Sequence, residues 1–137
     1  MKVLALDYGA ARTGVAVSDA TGTLARPLET VERAATPDGL RRLREIVQEQ
    51  GADVVVVGLP LTLRGERGSQ AVETEEFVEA LRQVVPVPVE MYDERFTTSL
   101  AAAVPGAAPE DARAAAHLLE SYLERTSAKR VPADSQP

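Results

Sequence analysis

The chain has 137 residues, a formal net charge of −6 and no cysteine. That length supports one domain with its own core, and the missing thiols exclude a disulfide framework and a thiolate zinc site. The acidic balance argues against a passive nucleic-acid binder, which presents a basic face, but it leaves room for an enzyme whose carboxylates hold a divalent cation.

The chain opens VLALDYGAARTGVAVSD. Lys2 to Asp7 is an apolar run of strand length, too short for a signal peptide, and Thr13 to Ser18 is a second. The tight connection Asp7-Tyr8-Gly9-Ala10-Ala11-Arg12 makes the two a hairpin. Asp19-Ala20-Thr21-Gly22 is turn chemistry, and Thr23 to Val31 reads as a third antiparallel strand interrupted by Pro27. The period then changes. Thr36 is an N-cap before Pro37, Leu40, Leu43, Ile46 and Val47 recur at helical spacing, and Gly51 stops the helix. Val54 to Val57 is a continuous β-branched run, a strand buried on both faces, ended by Gly58-Leu59-Pro60. A second helix starts near Ser69 with Val72, Phe77, Val78 and Leu81 inward. Val87 to Tyr92 is a fifth strand, Phe96 to Ala103 a short helix, and Pro109 opens a last helix to about Arg125. Residues 1–125 are thus one domain, and the polar tail from Thr126 to Pro137 is expected to be disordered. No stretch approaches the roughly 20 apolar residues of a membrane span, so a cytoplasmic protein with no membrane partner is expected.

The order β-β-β-α-β-α-β-α-α predicts an α/β domain: a five-stranded mixed sheet, three strands antiparallel and then two parallel, flanked by helices. This is the layout of the ribonuclease H-like fold. Asp7 then ends the first, central strand, where ligands of open α/β sheets bind. Glu90-Met91-Tyr92-Asp93-Glu94-Arg95 puts two more carboxylates at the end of the fifth strand. Gly58, at the end of the fourth, leaves an approaching backbone unobstructed. On the last helix Asp111, Ala115, Leu118 and Tyr122 fall at i, i+4, i+7 and i+11, one stripe facing the sheet, with Arg113, Glu120 and Glu124 opposite. An acid on an apolar stripe needs a partner, and a divalent cation shared with Asp7 would be one. Converging carboxylates are what two-metal phosphodiester cleavage requires, with two hard cations about 4 Å apart.

Each of these residues also has a purely structural reading. Asp7 before a glycine is common turn chemistry. Asp111 in a first helical turn favours the helix dipole. Asp93 and Glu94 can be a solvated pair on Arg95, and His117, off the stripe, a surface residue. Arg64 and Arg67 in a glycine-rich loop either solubilise it or contact phosphate.

Four blocks in order resemble the YqgF/RuvX family, Holliday junction resolvases also described as nucleases of the small-subunit ribosomal RNA precursor. They are DYGAARTGVAVSD, then GLPLTLRGERGSQA followed by Phe77, then YDERFTT and EDARAAAHLLESYLE. The resemblance implies a cytoplasmic, Mg²⁺- or Mn²⁺-dependent nuclease with Asp7, Glu94 and Asp111 as catalytic metal ligands and Asp93 as an auxiliary. It also implies that Arg12, Thr97 and Thr98 orient substrate or carboxylates. The chain departs from the family twice. Arg64 stands where members often carry Asn or Asp, and the segment from Ser99 to Pro109 lacks the basic residues many members have.

Two rivals stay open at this point. An Asp-x-Gly hairpin also opens the actin-like ATPase and sugar-kinase fold, although that architecture needs two lobes. A non-catalytic module could use the same groove to bind RNA or a processing partner. Backbone affinity is expected to rest on Arg12, Arg64, Arg67 and Arg95 plus bound metal. Few contacts suit a single RNA strand better than a branched DNA junction. A single strand needs only a monomer, a junction a two-fold dimer.

Overall fold

The computed structural model describes residues 1–96 and 109–134. Its strands are β1 (Val3–Asp7), β2 (Arg12–Ser18), β3 (Ala25–Glu32), β4 (Val54–Leu59) and β5 (Val89–Asp93). Its helices are α1 (Pro37–Gln50), α2 (Ser69–Arg82) and α3 (Glu110–Asp134), and a 3-10 turn covers Glu94–Phe96. The sheet order is β3-β2-β1-β4-β5. The β1–β2 and β2–β3 pairs are antiparallel, and the β1–β4 and β4–β5 pairs are parallel. This is the expected mixed sheet, with β1 in the middle.

The alternation of side chains along each strand sorts the core into two layers. Leu4, Leu6, Val15, Val17, Val55 and Val57 pack beneath α1 and α2 with Leu43, Ile46, Phe77 and Leu81. Val3, Ala5, Ala16, Val54 and Val56 pack beneath α3 with Ala115, Leu118, Leu119 and Tyr122. Asp7 has the parity of Val3 and Ala5 and therefore falls on the α3 side. By the same count so do Gly14 on β2 and Gly58 on β4.

The helix punctuation read from the sequence is present for α1. The Thr36 hydroxyl accepts from the Gly39 N–H at 3.2 Å, and Gly51 closes the helix with φ 64°. Pro27 sits on the edge strand next to the register shift between Val15 and Ala16, where a missing N–H costs no ladder bond.

Several boundaries and faces differ from the sequence reading. β5 starts at Val89 rather than Val87, because Pro88 has no N–H; its carbonyl accepts from Val55 at 2.9 Å. Val72 is 41 % exposed, and the buried positions of α2 are Ala71, Thr74, Phe77, Val78 and Leu81. The stripe starts one residue earlier than expected because the small Ala71 packs closest. The helix α3 continues to Asp134 instead of stopping near Arg125, so residues 126–134 are helical and not an unstructured tail. The Thr126 hydroxyl bonds back to the Tyr122 and Leu123 carbonyls, satisfying acceptors where the helix was expected to end. The short helix expected over 96–103 lies outside the described residues, apart from Phe96 at the end of the 3-10 turn.

Candidate active site

The site is built around Asp7 by two glycines. Gly14 is the cross-strand partner of Asp7 on β2. Gly58 on β4 lies one residue beyond the Leu6–Val57 pair, beside Asp7 on the other flank. A Cβ at either position would crowd a neighbour. A Cβ on Gly14 would lie 1.8 Å from the Asp111 carbonyl oxygen, so this glycine lets the first turn of α3 rest on the sheet. A Cβ on Gly58 would lie 2.8 Å from Cγ of Glu94. What approaches Gly58 is therefore a side chain and not, as the sequence suggested, a backbone.

Over Gly58 the Glu94 carboxyl reaches Asp7 and hydrogen-bonds it. Both groups are half-buried. Burial, then the Asp7 charge, push Glu94 up to about 7, and the Asp93 charge adds to this. Burial also raises Asp7, with the Asp111 charge contributing in the same direction, although the hydrogen bond from Glu94 opposes it. The pair thus keeps a proton between its two carboxyl groups towards neutral pH, as two crowded acids do when no cation separates them. The donors are all oxygen, suited to a hard divalent cation, and two carboxylates are a sufficient protein contribution for Mg²⁺, which retains several waters. Asp7 and Glu94 are thus placed to hold such an ion. Among the described residues no group of three carboxylates is gathered closely enough to do so.

Asp111 stands apart from the pair for a specific reason. Its carboxylate is 3.4 Å from the Arg12 guanidinium, in an ion pair whose side chains are 66 % (Arg12) and 38 % (Asp111) exposed. The neighbouring Asp93, expected as an auxiliary ligand, is committed elsewhere. Both of its oxygens take the Arg95 Nε, at 3.1 and 3.0 Å, and Oδ2 takes Nη2 at 2.6 Å. This chelation holds Asp93 below the ordinary carboxylate range. The two acids part where β5 ends: Asp93 is its last residue and closes on Arg95, while Glu94 opens the 3-10 turn and reaches Asp7.

The predicted phosphate-binding arginines are mostly engaged. Arg95 braces the loop after β4 through a 3.5 Å bond to the Leu63 carbonyl. Arg67 pairs with Glu75 on α2 and Arg12 with Asp111. Arg64 is exposed and has no hydrogen bond or ion pair among the described residues. Thr97 and Thr98 lie outside the described residues. His117 is half-buried rather than on the surface, with Nε2 fully enclosed, because the buried face of α3 is wider than the Asp111–Tyr122 stripe. Ala112, Ala116, Leu119 and Leu123 are buried as well.

A cleft of about 290 Å³ opens over this edge of the sheet. Asp7 and Glu94 form one wall, and Gln70, Glu73 and Thr74 of α2 the other. Sequence reading missed the α2 wall, since nothing in the local pattern of Gln70 or Glu73 distinguishes them from solvated helix residues. It also missed Gly14, although the hairpin register, once drawn, places that glycine opposite Asp7.

A mixed sheet with an acidic pair at the end of its central strand, roofed by a helix starting on a glycine, defines a ribonuclease H-like domain. The fold matches Thermus thermophilus RuvC solved with a Holliday junction substrate, with TM-score 0.63 and 16 % identity over 93 % of this chain and 96 % of that one. It also matches the fowlpox virus resolvase solved with Holliday junction DNA, with TM-score 0.52 and 12 % identity over 92 % and 99 % of the two chains. At these identities the likeness is one of fold. The chain belongs to the RuvX family, whose model, described as Holliday junction resolvase, matches residues 1–125. Among its relatives, a protein of Chloroflexus aurantiacus named "Putative pre-16S rRNA nuclease" is 47 % identical over 96 residues, 70 % of this chain but only 63 % of that protein. A protein of the same name from Rubrobacter xylanophilus is 46 % identical over 134 residues, 90 % of this chain and 92 % of the relative.

Proposed function

We propose that this chain is a divalent-metal-dependent endonuclease that hydrolyses phosphodiester bonds, with residues 1–125 as the nuclease domain. The observation that carries this reading is the half-buried Asp7–Glu94 carboxyl pair on the wall of an open cleft. A proton-sharing acid pair at a ligand-binding edge is costly as pure structure and useful as a cation site. Mg²⁺ or Mn²⁺ bound there supplies charge to the phosphate and lowers the pKa of bound water. Asp7 and Glu94 lose their shared proton to hold the ion, and Asp111 at the start of α3 is the third ligand. Asp93 acts indirectly, fixing Arg95 and with it the loop after β4. Arg64 and Arg12 contact substrate phosphates, Arg67 and Arg95 shape the loop that presents Arg64, and Thr97 and Thr98 orient substrate.

The substrate we infer is single-stranded RNA at the 5′ end of the small-subunit ribosomal RNA precursor, cut in the cytoplasm by a monomer. The name shared by the relatives supports this. So does the engagement of Arg12, Arg67 and Arg95 with carboxylates, because phosphate grip scales with the number of phosphates neutralised. The description of the family model favours a second reading, resolution of branched DNA by a dimer. Cleavage of a precursor RNA leader and of a four-way junction, side by side with Mg²⁺ and with chelator, separates the two. RNA cleavage that needs metal and disappears in Asp7→Asn is expected. Paired symmetric nicks in the junction with intact RNA would establish the second reading instead.

A further inference from the structure

Arg12, Gly14 and Asp111 form a small mechanism at the edge of this site. Arg12 and Gly14 share one face of β2, two residues apart, and Gly14 is the cross-strand partner of Asp7. The Asp111 carbonyl rests on Gly14, so the helix backbone is fixed there. From that fixed point the Asp111 side chain meets Arg12 and lies close enough to Asp7 to act on its charge. Its carboxylate is paired with Arg12 at 3.4 Å, yet its charge is still felt at Asp7.

We infer that Arg12 is a positioning residue that holds Asp111 away from the Asp7–Glu94 pair until a substrate phosphate takes the guanidinium, whereupon Asp111 joins the pair as the third metal ligand. This rests on the reading of the site as a cation-dependent nuclease. The ion pair is largely exposed, so it is weak and a phosphate, which guanidinium binds bidentately, displaces it readily. Phosphate binding and cation binding are then linked: each strengthens the other, with the reciprocity that linkage requires. The arrangement also explains why three carboxylates named by the same family motifs do not converge here. Without substrate the site is held one ligand short, which suppresses hydrolysis in the absence of a correctly seated strand.

The test is Mn²⁺ binding by calorimetry to the full chain, in wild type, Arg12→Gln, Asp111→Asn and the double variant, with no nucleic acid present. Arg12→Gln is expected to bind Mn²⁺ about three- to fivefold more tightly than wild type, the size of a weak exposed ion pair. In the Asp111→Asn background the same change is expected to have no effect beyond about twofold, the limit of additivity for independent sites. A 5′-phosphorylated dinucleotide, serving as the phosphate probe, is expected to tighten Mn²⁺ binding to wild type but not to Arg12→Gln, and Arg12→Lys is expected to restore the effect in part. Equal tightening by Arg12→Gln in both backgrounds would show that Arg12 acts only as a distant positive charge and would overturn the inference. So would a dinucleotide effect that survives Arg12→Gln, or no Mn²⁺ binding by any form. Coupled binding in a protein that cleaves neither RNA nor DNA would refute the nuclease reading and leave this inference standing. Metal-dependent cleavage with an additive cycle would do the reverse.

Discussion

Two aspartates end strands in the first part of this chain and meet opposite fates. Asp19 follows β2, and its own turn supplies it with donors. The N–H groups of Thr23 and Leu24 reach Oδ1 at 2.8 and 2.9 Å, and the hydroxyls of Thr21 and Thr23 complete the set. Those bonds hold its pKa far below the ordinary carboxylate range. Asp7 ends β1 at the opposite edge of the sheet, also just before a turn containing glycine, and its one side-chain hydrogen bond that shifts its pKa is to another acid, Glu94. Its pKa moves up rather than down, because burial and neighbouring negative charge outweigh that bond. The two are nearly indistinguishable as sequence, Asp-Tyr-Gly and Asp-Ala-Thr-Gly. A carboxylate that serves the fold finds its donors within a few residues. Asp7 is left short of them, as the proposed cation site requires.

The contrast breaks most clearly if Asp7 is removed. Asp7→Asn is expected to lower metal-dependent cleavage on the order of 10³-fold, since a bound metal contributes several kcal/mol to the barrier. Its metal-free melting temperature should be unchanged or higher, because a crowded pair has been relieved. Wild-type turnover by the purified variant would remove Asp7 from the chemistry. Asp19→Asn should behave oppositely, with a lower melting temperature and cleavage near wild type.

Next in size is Asp111→Asn, for which we expect cleavage reduced roughly 10²-fold, the scale of one transition-state contact. Glu110→Gln, the adjacent acid rotated about 100° around the helix, should cost less than about threefold. Comparable losses in single-turnover assays would return Asp111 to the role of a helix-terminus acid.

The pH response distinguishes the two aspartates without mutation. Glu94 has a folded value of about 7 against an ordinary 4.5. An acid raised on folding opposes folding once the unfolded chain ionises. Metal-free stability is therefore expected to fall as pH rises from about 4.5 to about 7, and added Mn²⁺ should remove that slope. Mn²⁺ affinity should rise up to about tenfold per pH unit below 7, where each ion displaces a proton, and level off above it. Asp19 has the reverse sign. Its depressed pKa gives a stabilising contribution present above the ordinary value of 3.8 and lost as pH falls through the lower folded value. Chemical denaturation between pH 3 and 8, with and without Mn²⁺, resolves the Glu94 window and the onset of the Asp19 one. A flat metal-free profile from 4.5 to 7 would contradict the shared-proton pair.

The smallest effects concern the two glycines. Gly14→Ala forces a methyl group against the backbone of α3, which cannot step aside by changing rotamer, and about 1–3 kcal/mol of destabilisation is expected. Gly58→Ala meets only the flexible Glu94 side chain. It should cost less stability than Gly14→Ala and a larger share of activity, measured by denaturant midpoint and by cleavage rate on the same preparations.

The sequence alone determined the layers, the strand order and the carboxylate at the end of the central strand. The apolar runs of β1 and β4, the Thr36 and Gly51 punctuation of α1, and the motif blocks are all local signals. The family resemblance implied that Glu94 and Asp111 act with Asp7; the structure brings Glu94 against Asp7 and pairs Asp111 with Arg12. The sequence did not tell which of two adjacent acids meets Asp7, that Asp93 closes on Arg95, or that Asp111 pairs with Arg12. Nor did it show the α2 wall of the cleft. Those outcomes depend on which strand lies beside which and on where a missing Cβ lets a helix or a side chain approach. Gly14 and Gly58 carry the information, but their meaning exists only once β2 and β4 are laid on either side of β1. Charge pairing is settled last, by distances of 3 to 4 Å that no spacing along the chain encodes. Local pattern fixes which residues face the core; only packing decides which charges meet.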